Sequence, residues 1–422
     1  MTRCCTGRCC ELDRLKAAQQ GIIDAGLAAG SALLVGSGRE LIFENYAGIA
    51  RADGTLAEET TLWHMYSMTK AVTVTAALIL VERGQLFLDA PVSNYIPEFG
   101  AWASRGDASN PRGIVPTVKD LFTMTSGLSY FGGDETNAER EFFRAWEADI
   151  DRGEPWGTVG FARKLAALPP AFEPGTRFQY GLSHDVLGAV IEVISGVTLE
   201  DFCRRELFGP LKMRDSYWCQ SVPVDTRPRL AECLNRGRTP CLKNAYFAAP
   251  MPGRPVPGHP EIRDPKMFSG GAGLVTTARD YGRFLDFLLN GVVNGADGAR
   301  GRSGDPPAIL KPETLRLLLA PALTAEQRAT YNLPGADRGH FGPEYTYSLG
   351  MRVLERPDID PARGGMREFG WSGALGTWFF VDPEDGVWFL YLHQHAPAEH
   401  ARFIPELRRV FYEVLRHDRN LK

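Results

Sequence analysis

The segment MYSMTK at residues 65–70 places a serine and a lysine three positions apart, where a helix is predicted to begin. That helix is expected over residues 69–83, and Gly84 ends it. An i, i+3 pair on a helix lies on one face, so the Ser67 hydroxyl and the Lys70 amine can meet. A serine is a weak nucleophile unless a base lies beside it. On its own, however, the pattern is more typical of a helix N-cap followed by a solvated lysine.

Further segments along the chain make the interpretation of this pair more specific. In order they are residues 80–92 (LVERGQLFLDAPV), 117–128 (TVKDLFTMTSGL), 178–183 (FQYGLS), 269–281 (SGGAGLVTTARDY) and 371–373 (WSG). With these motifs the chain resembles the serine β-lactamase and penicillin-binding superfamily. It is most similar to class C enzymes and their esterase relatives, the family VIII carboxylesterases. The resemblance spans roughly residues 12–416, and several ordered matches are more specific than any one of them.

The resemblance implies an acyl-transfer site with three reactive side chains. In it, Ser67 attacks the acyl carbon, and Lys70 and Tyr180 share the role of base. Tyr180 can then return the proton to the leaving alkoxide. The oxyanion hole is expected at the backbone N–H groups of Ser67 and Ala374, beside Gly373, which allows a substrate to approach closely. Without its motif, Tyr180 would be interpreted as a half-buried aromatic residue.

Two positions depart from the β-lactamase pattern and bear on the substrate. The β-lactamases have an asparagine two residues after the tyrosine and a lysine that opens the third motif, whereas this chain has Leu182 and Trp371. In those enzymes the two polar groups hold the side-chain amide and the carboxylate of the lactam. An apolar wall of Leu182 and Trp371, continued by Ser372 and Gly373, suits an uncharged ester better. A tryptophan-led third motif is also frequent in the esterase relatives.

The sequence therefore predicts a serine carboxylesterase that hydrolyses small uncharged esters through an acyl-enzyme on Ser67. Transfer of the acyl group to another alcohol remains open, because it would use the same intermediate. One alternative is a β-lactamase or D-alanyl peptidase, and a second is a non-catalytic binding protein on the same fold. Retention of Ser67, Lys70 and Tyr180 argues against the second alternative. No G-x-S-x-G elbow occurs, so an α/β-hydrolase is not expected.

The expected fold is α+β, of the β-lactamase/transpeptidase-like type. Strand signals lie near both ends of the chain, and helix signals lie between them, so the termini are expected to share one antiparallel sheet flanked by helices. Residues 11–66 and 268–422 would form this discontinuous α/β domain, and residues 67–267 an inserted, mainly helical domain with irregular stretches at 128–157 and 221–267. Residues 1–10 are expected to be a flexible tail.

Composition and charge argue against several other classes of protein. The formal net charge is −4 and no block of consecutive basic residues occurs, so neither nucleic acid nor a membrane surface is expected as a partner. No stretch approaches the roughly 20 apolar residues of a membrane span. The N-terminus has no apolar leader, which predicts a cytoplasmic protein. No cofactor is expected, and the oligomeric state is left open.

Metal binding is not expected either. Four of the eight cysteines crowd the N-terminus, where adjacent thiols are awkward for tetrahedral chelation. The pair His393 and His395 is a weak pattern without a carboxylate partner.

Overall fold

Both ends of the chain supply strands to one antiparallel sheet. The computed structural model describes residues 7–38, 40–130, 137–238, 264–293, 309–331 and 342–420. The strands in these residues are β1 (Gly30–Ser37), β2 (Glu40–Gly48), β3 (Leu62–His64), β4 (Ser216–Trp218), β5 (Leu274–Thr277), β6 (Tyr345–Tyr347), β7 (Arg352–Leu354), β8 (Phe369–Gly373), β9 (Thr377–Asp382) and β10 (Val387–His393). Seven of these strands form the large sheet in the order β2-β1-β10-β9-β8-β7-β6, and β3, β5 and β4 form a smaller one.

The pairing of β1 with β10 joins the N-terminal and C-terminal parts of the chain. Their antiparallel register runs from Ser31 opposite His393 to Ser37 opposite Val387. Strand β10 is an almost continuous apolar run and is buried along its whole length, as expected for a strand that is covered on both faces. The sequence predicted that strands from both ends of the chain share one antiparallel sheet, and the structure confirms this.

Helices cover both faces of the large sheet. The α-helices of the described residues are α1 (Gly7–Asp24), α2 (Thr69–Glu82), α3 (Val118–Phe122), α4 (Asn137–Asp151), α5 (Gly157–Leu165), α6 (Ser183–Ser195), α7 (Leu199–Cys203), α8 (Ala278–Val293), α9 (Pro312–Leu315), α10 (Ala325–Tyr331) and α11 (His400–Asn420). On one face, α1 packs against α11 over an apolar cluster that includes Leu15, Phe380 and Phe411. On the other, α8 packs against β1, β9 and β10. This arrangement confirms the α+β fold class.

Helix α2 lies inside the second layer of helices. All its residues from Thr69 to Leu80 are buried, and α6, α7 and α9 pack against it. Its sequence explains this burial, because Lys70 is the one charged residue in that stretch and a helix that is apolar all round needs partners on every side. The fold therefore carries the Lys70 side chain into the interior.

Some predicted boundaries differ from the structure. The stretch 128–157 was expected to be irregular, but α4 lies within it, and Phe142 and Trp146 on that helix pack into the core at i, i+4 spacing. Residues 7–10, which were placed in the expected tail, are the first residues of α1, and the flexibility of residues 1–10 stays a prediction. Residues 239–263, most of the second irregular stretch, lie outside the described residues. The division into two domains stays a prediction.

A buried ion cluster ties α11 to the sheet. The Arg408 guanidinium donates hydrogen bonds of 2.5 and 2.8 Å to Asp360 and of 2.9 and 2.6 Å to Glu368. The Tyr412 hydroxyl donates to Glu368 at 2.7 Å. Arg408, Asp360 and Glu368 are each at most 5 % exposed. Charges so far from water are tolerated only while they are paired, so each partner depends on the others.

We expect Arg408→Ala to destabilise the fold by about 3–5 kcal/mol, because it leaves Asp360 buried without its cation and leaves Glu368 paired with Arg352 alone. Urea unfolding followed by tryptophan fluorescence measures this change. The matched control is Arg409→Ala on the same helix, where the ion pairs with Glu406 and Glu413 are at the surface. Its expected cost is about 0–1 kcal/mol. Equal costs for the two variants would contradict the structural role of the buried cluster.

Candidate active site

Ser67 is the accessible residue of a buried segment. It lies in a 3-10 turn, Tyr66–Met68, which runs directly into α2. Its neighbours on both sides are buried, whereas Ser67 itself is partly exposed. The segment is anchored by a hydrogen bond from the Met65 N–H to the Leu274 carbonyl, 2.9 Å long. The fold thus presents one hydroxyl to solvent at the start of an otherwise inaccessible helix.

The Lys70 ammonium is buried, and three oxygens surround it. Its Nζ lies 3.3 Å from Ser67 Oγ, 2.9 Å from the Tyr130 hydroxyl and 2.7 Å from the Gly271 carbonyl oxygen. Lys70 is 0 % exposed, so these hydrogen bonds must replace the hydration of the charge. Since an ammonium has three N–H donors, all of them have partners. One of those partners is the hydroxyl that the sequence identified as the nucleophile.

Tyr130 is the phenol that accepts a hydrogen bond from Lys70. Burial, together with the neighbouring Tyr180 and Asp185, raises the pKa of Tyr130 well above its usual value, so this phenol stays protonated at neutral pH. Its ring meets the Tyr180 ring edge to face, with the centroids 5.4 Å apart. Tyr130 was not predicted, because the matched motif ends at residue 128 and the contact with Lys70 joins residues 60 positions apart. The available signal was a hydroxyl-bearing residue two positions further on.

Tyr180 contacts Lys70 through its ring. Lys70 Nζ lies 4.8 Å from the centre of that ring, within the range of a cation–π contact. The Tyr180 oxygen accepts a hydrogen bond of 3.1 Å from the indole N–H of Trp371, and the two ring centroids are 5.4 Å apart. Trp371 is therefore more than an apolar wall, because it also fixes the phenol through a polar contact.

The end of β8 packs against the segment that contains Ser67. The approach is closest at Gly373, where an added Cβ would lie 2.3 Å from the Met65 carbonyl oxygen. The Thr377 hydroxyl donates to the same carbonyl at 3.2 Å. Ala374, which follows Gly373, is exposed, whereas the strand before it is buried. The two residues expected to supply the oxyanion hole, Ser67 and Ala374, thus lie on segments that are in direct contact.

The residues predicted to form the substrate wall are mostly buried. Leu182, Trp371 and Ser372 are 2–3 % exposed. Leu182 lies at the start of α6 within the hydrophobic core, so its contact with a substrate stays a prediction. The Tyr347 ring packs edge to face with Trp371, with a centroid distance of 5.3 Å. The described surroundings of Tyr180 are therefore largely aromatic.

His184 lies close to the lysine but is held as a neutral imidazole. Burial and the charge of Lys70 lower the pKa of His184 to about 3. Its Nε2 lies 3.2 Å from the Phe122 carbonyl oxygen, an acceptor, which requires the proton to be on that nitrogen. This pairing fixes the ring in the core and leaves Lys70 as the charged nitrogen near Ser67.

His393, which ends β10, and His395, two residues later, have local partners. His393 Nδ1 lies 3.2 Å from the Tyr391 hydroxyl, and His395 Nδ1 lies 2.8 Å from the Pro397 carbonyl oxygen. In the part of the chain that the structure describes, no group of three or more His, Cys, Asp or Glu side chains could hold a metal ion. Over the same residues, no helix combines the length and the apolar character that crossing a membrane requires.

Comparison with known proteins connects this geometry to a family. The family model described as Beta-lactamase matches residues 19–411. Esterase EstB of Burkholderia gladioli is 30 % identical over 86 % of this chain and 85 % of its own length. The lovastatin esterase of Penicillium rubens is 30 % identical over 77 % of each chain.

Solved structures with the same fold include enzymes of acyl chemistry. EstCE1, described as a hydrolase with promiscuous acyltransferase activity, superposes with a TM-score of 0.73 over 95 % of this chain and 98 % of its own, at 23 % identity. Simvastatin synthase (LovD) of Aspergillus terreus gives a TM-score of 0.72 over 97 % and 98 %, at 20 % identity. At these identities the superpositions show the shared fold.

Proposed function

The chain belongs to the beta-lactamase family and is a serine hydrolase of the carboxylic ester hydrolase class, and we propose that it cleaves small uncharged esters through an acyl-enzyme on Ser67. The observation that carries the proposal is the 3.3 Å contact between Lys70 Nζ and Ser67 Oγ, made by a lysine that has no access to water. A hydroxyl becomes an effective nucleophile when a neighbouring group can take its proton.

The proposed reaction has two halves that share one intermediate. In the first, Ser67 Oγ attacks the ester carbonyl carbon while its proton passes to the pair Lys70 and Tyr180, which accepts it in the form that holds one proton fewer than ammonium plus phenol. The backbone N–H groups of Ser67 and Ala374 hold the resulting oxyanion, which collapses and expels the alkoxide, and the alkoxide takes up the proton. In the second half, water attacks the acyl group, gives up its proton to the same pair and releases the acid and free Ser67.

The proposed preference for an uncharged ester rests on the hydrogen bonds that the polar groups of the site already make within the protein. All three N–H donors of Lys70 have protein acceptors, and the Trp371 N–H donates to Tyr180. Trp371 also stands where the β-lactamases place a lysine. Lys70 therefore has no N–H donor left for a substrate carboxylate, and Trp371 carries no charge. Burying an unpaired carboxylate against aromatic rings would be costly.

Acyl transfer to an alcohol is a second activity that the comparisons favour. Besides EstCE1, the relatives include the monacolin J acid methylbutanoyltransferase of Aspergillus terreus, 26 % identical over 78 % of this chain. Chemically, an alcohol that reaches the acyl-enzyme before water does would yield a new ester, with the same proton transfers. We therefore propose that this chain also transfers acyl groups to small alcohols.

The first experiment compares p-nitrophenyl butyrate with nitrocefin, each with the wild type and with Ser67→Ala. We expect the wild type to cleave the ester and to turn over little or no nitrocefin. Loss of the nucleophile should reduce ester cleavage by at least about 1000-fold. Addition of benzyl alcohol to the wild-type reaction should produce benzyl butyrate, measured by gas chromatography.

The control for this experiment is Ser104→Ala, which removes an exposed hydroxyl bonded to the Ala101 carbonyl and should leave both rates unchanged. Strong nitrocefin turnover would overturn the preference for uncharged esters in favour of a β-lactamase. Undiminished ester cleavage by Ser67→Ala would overturn the nucleophile.

A second experiment tests the newly identified phenol. Tyr130→Phe removes one of the three acceptors of Lys70 while keeping the ring, and a hydrogen bond to a charged group contributes about 1.5–3 kcal/mol. We expect kcat for p-nitrophenyl butyrate to fall about 10- to 100-fold with KM little changed, since a 1.36 kcal/mol change corresponds to tenfold. Steady-state kinetics of the purified variant measures both constants.

The matched control is Tyr347→Phe. Tyr347 is another buried tyrosine of the same aromatic cluster, and its hydroxyl has no hydrogen-bond partner among the described residues. Removal of that hydroxyl should leave kcat unchanged. If Tyr130→Phe is as active as Tyr347→Phe, the hydrogen bond from Lys70 to Tyr130 does not matter for the reaction.

A further inference from the structure

Asp185 is a buried carboxylate close to the lysine, and the reaction scheme above does not use it. It lies in the first turn of α6, five residues after Tyr180, and is 2 % exposed. A carboxylate is seldom placed so far from water without a cation hydrogen-bonded to it, and its contacts are to a hydroxyl and to backbone N–H groups. Its surroundings therefore need a physical explanation.

The contacts of Asp185 hold the glycine-rich segment that follows residue 268. Asp185 Oδ1 accepts a hydrogen bond of 2.5 Å from the Ser269 hydroxyl and one of 3.2 Å from the Gly271 N–H. The carboxylate also packs directly on Gly271, where an added Cβ would lie 2.6 Å from Oδ2. The position of Gly271 is thus set from one side by Asp185.

The same glycine presents its carbonyl to the lysine on its other side. Of the three acceptors around Lys70 Nζ, the Gly271 oxygen is the closest, at 2.7 Å. Gly271 therefore contacts both the buried Asp185 carboxylate, through its N–H, and the buried Lys70 ammonium, through its carbonyl oxygen. A shift of Asp185 would be transmitted to the acceptor that fixes the lysine head.

The hydrogen bonds indicate that Asp185 is ionised. The Ser269 oxygen accepts from the N–H groups of Gly271 and Ala272, at 3.2 and 3.1 Å, so its own proton is directed to Asp185 Oδ1. A protonated carboxyl would need an acceptor for its O–H at Oδ2, and no hydrogen-bond partner of Oδ2 lies within the described ranges. Burial raises the pKa of Asp185, and the charge of Lys70 acts against that rise. The two opposite charges thus stabilise each other.

We propose that Asp185 is a positioning residue of the reaction, the fixed counter-charge of Lys70, which acts through Ser269 and Gly271 to hold the ammonium beside Ser67. This inference rests on the proposed function, because it assigns a role in the proton transfer that the ester reaction requires. It adds a group that touches neither the substrate nor the reacting atoms. Asp185 on α6 thus both stabilises the charge of Lys70 and helps to hold its ammonium in place.

Other titratable groups also face this cluster. On the described elements packed around Asp185 they are Lys70 from α2, His184 from α6, and Tyr130 and Tyr180 from the segments that precede α4 and α6. His184 is neutral, and Tyr130 keeps its proton, at neutral pH. A group that interacts with the Asp185 charge loses its proton at lower pH when that charge is removed. The limb followed in the experiment is therefore the one that moves to lower pH with loss of the carboxylate charge.

The experiment measures kcat and KM for p-nitrophenyl butyrate against pH in the full chain with Asp185→Asn. The amide keeps the acceptor for Ser269 and Gly271 but removes the charge. We expect the limb of the profile to move to lower pH by about one unit, the lower end of the shift that a neighbouring charge causes, with KM changed less than about threefold. A profile that coincides with that of the wild type would overturn the inference.

Two further variants separate charge from contact. Ser269→Ala keeps the carboxylate but removes the hydroxyl between it and Gly271, so kcat should fall while the limb stays in place. Asp280→Asn is the matched control, because Asp280 is also a buried carboxylate, bonded to the Asp215 N–H and the Ser216 hydroxyl. Its profile should match the wild type. A limb that moves equally in Asp280→Asn would show a general effect of buried charge and overturn the inference.

Should Asp185→Asn fail to fold, Asp185→Glu replaces it in the experiment. It keeps the charge in a longer side chain, so we expect a lower kcat with the limb unmoved, and a moved limb would contradict the role of the charge. The outcome is separable from that of the proposed function. If Ser67→Ala is inactive and Asp185→Asn behaves as wild type, only this inference fails. If Ser67→Ala remains active, the proposed function itself fails.

Discussion

The burial of the Lys70 ammonium is the constraint on which the rest of the site depends. A cation that has lost its water must find oxygens of the protein, and here the three oxygens come from the turn before α2, from Tyr130 and from the glycine-rich segment before β5. These segments are far apart in the chain. The buried charge of Lys70 therefore requires these segments to pack around its ammonium, beside the partly exposed Ser67.

The aromatic groups around this charge support the proposed preference for uncharged esters. Where the β-lactamases have a second cation, Trp371 donates its N–H to Tyr180 and stacks among aromatic rings. The site thus keeps one buried positive charge, which is already satisfied. A neutral acyl donor fits such surroundings because it brings no charge that would need a partner. The counter-charge that we propose for Lys70 is likewise a single carboxylate, Asp185, which contacts Gly271.

Much of the fold and of the active site could be predicted from the sequence, and the elements that were missed have physical reasons. The β1–β2 and β9–β10 hairpins and α6 were predictable because local periodicity and turn residues specify them. Helix α4 was missed because the Gly and charged residues around it hide an amphipathic pattern. Tyr130 and Asp185 were missed for a different reason. Their relation to Lys70 arises only when segments 60 and more residues apart pack together, and no local pattern records that.

The most direct test of the central claim is to find which residue forms the covalent intermediate. The wild-type protein would be treated with a neutral p-nitrophenyl alkylphosphonate, digested, and mapped by tandem mass spectrometry. The buried-lysine account predicts one phosphonate per chain, attached to Ser67, and no labelling when Lys70→Met removes the amine. A phosphonate on any other residue, or equally rapid labelling of Ser67 without the lysine, would contradict it.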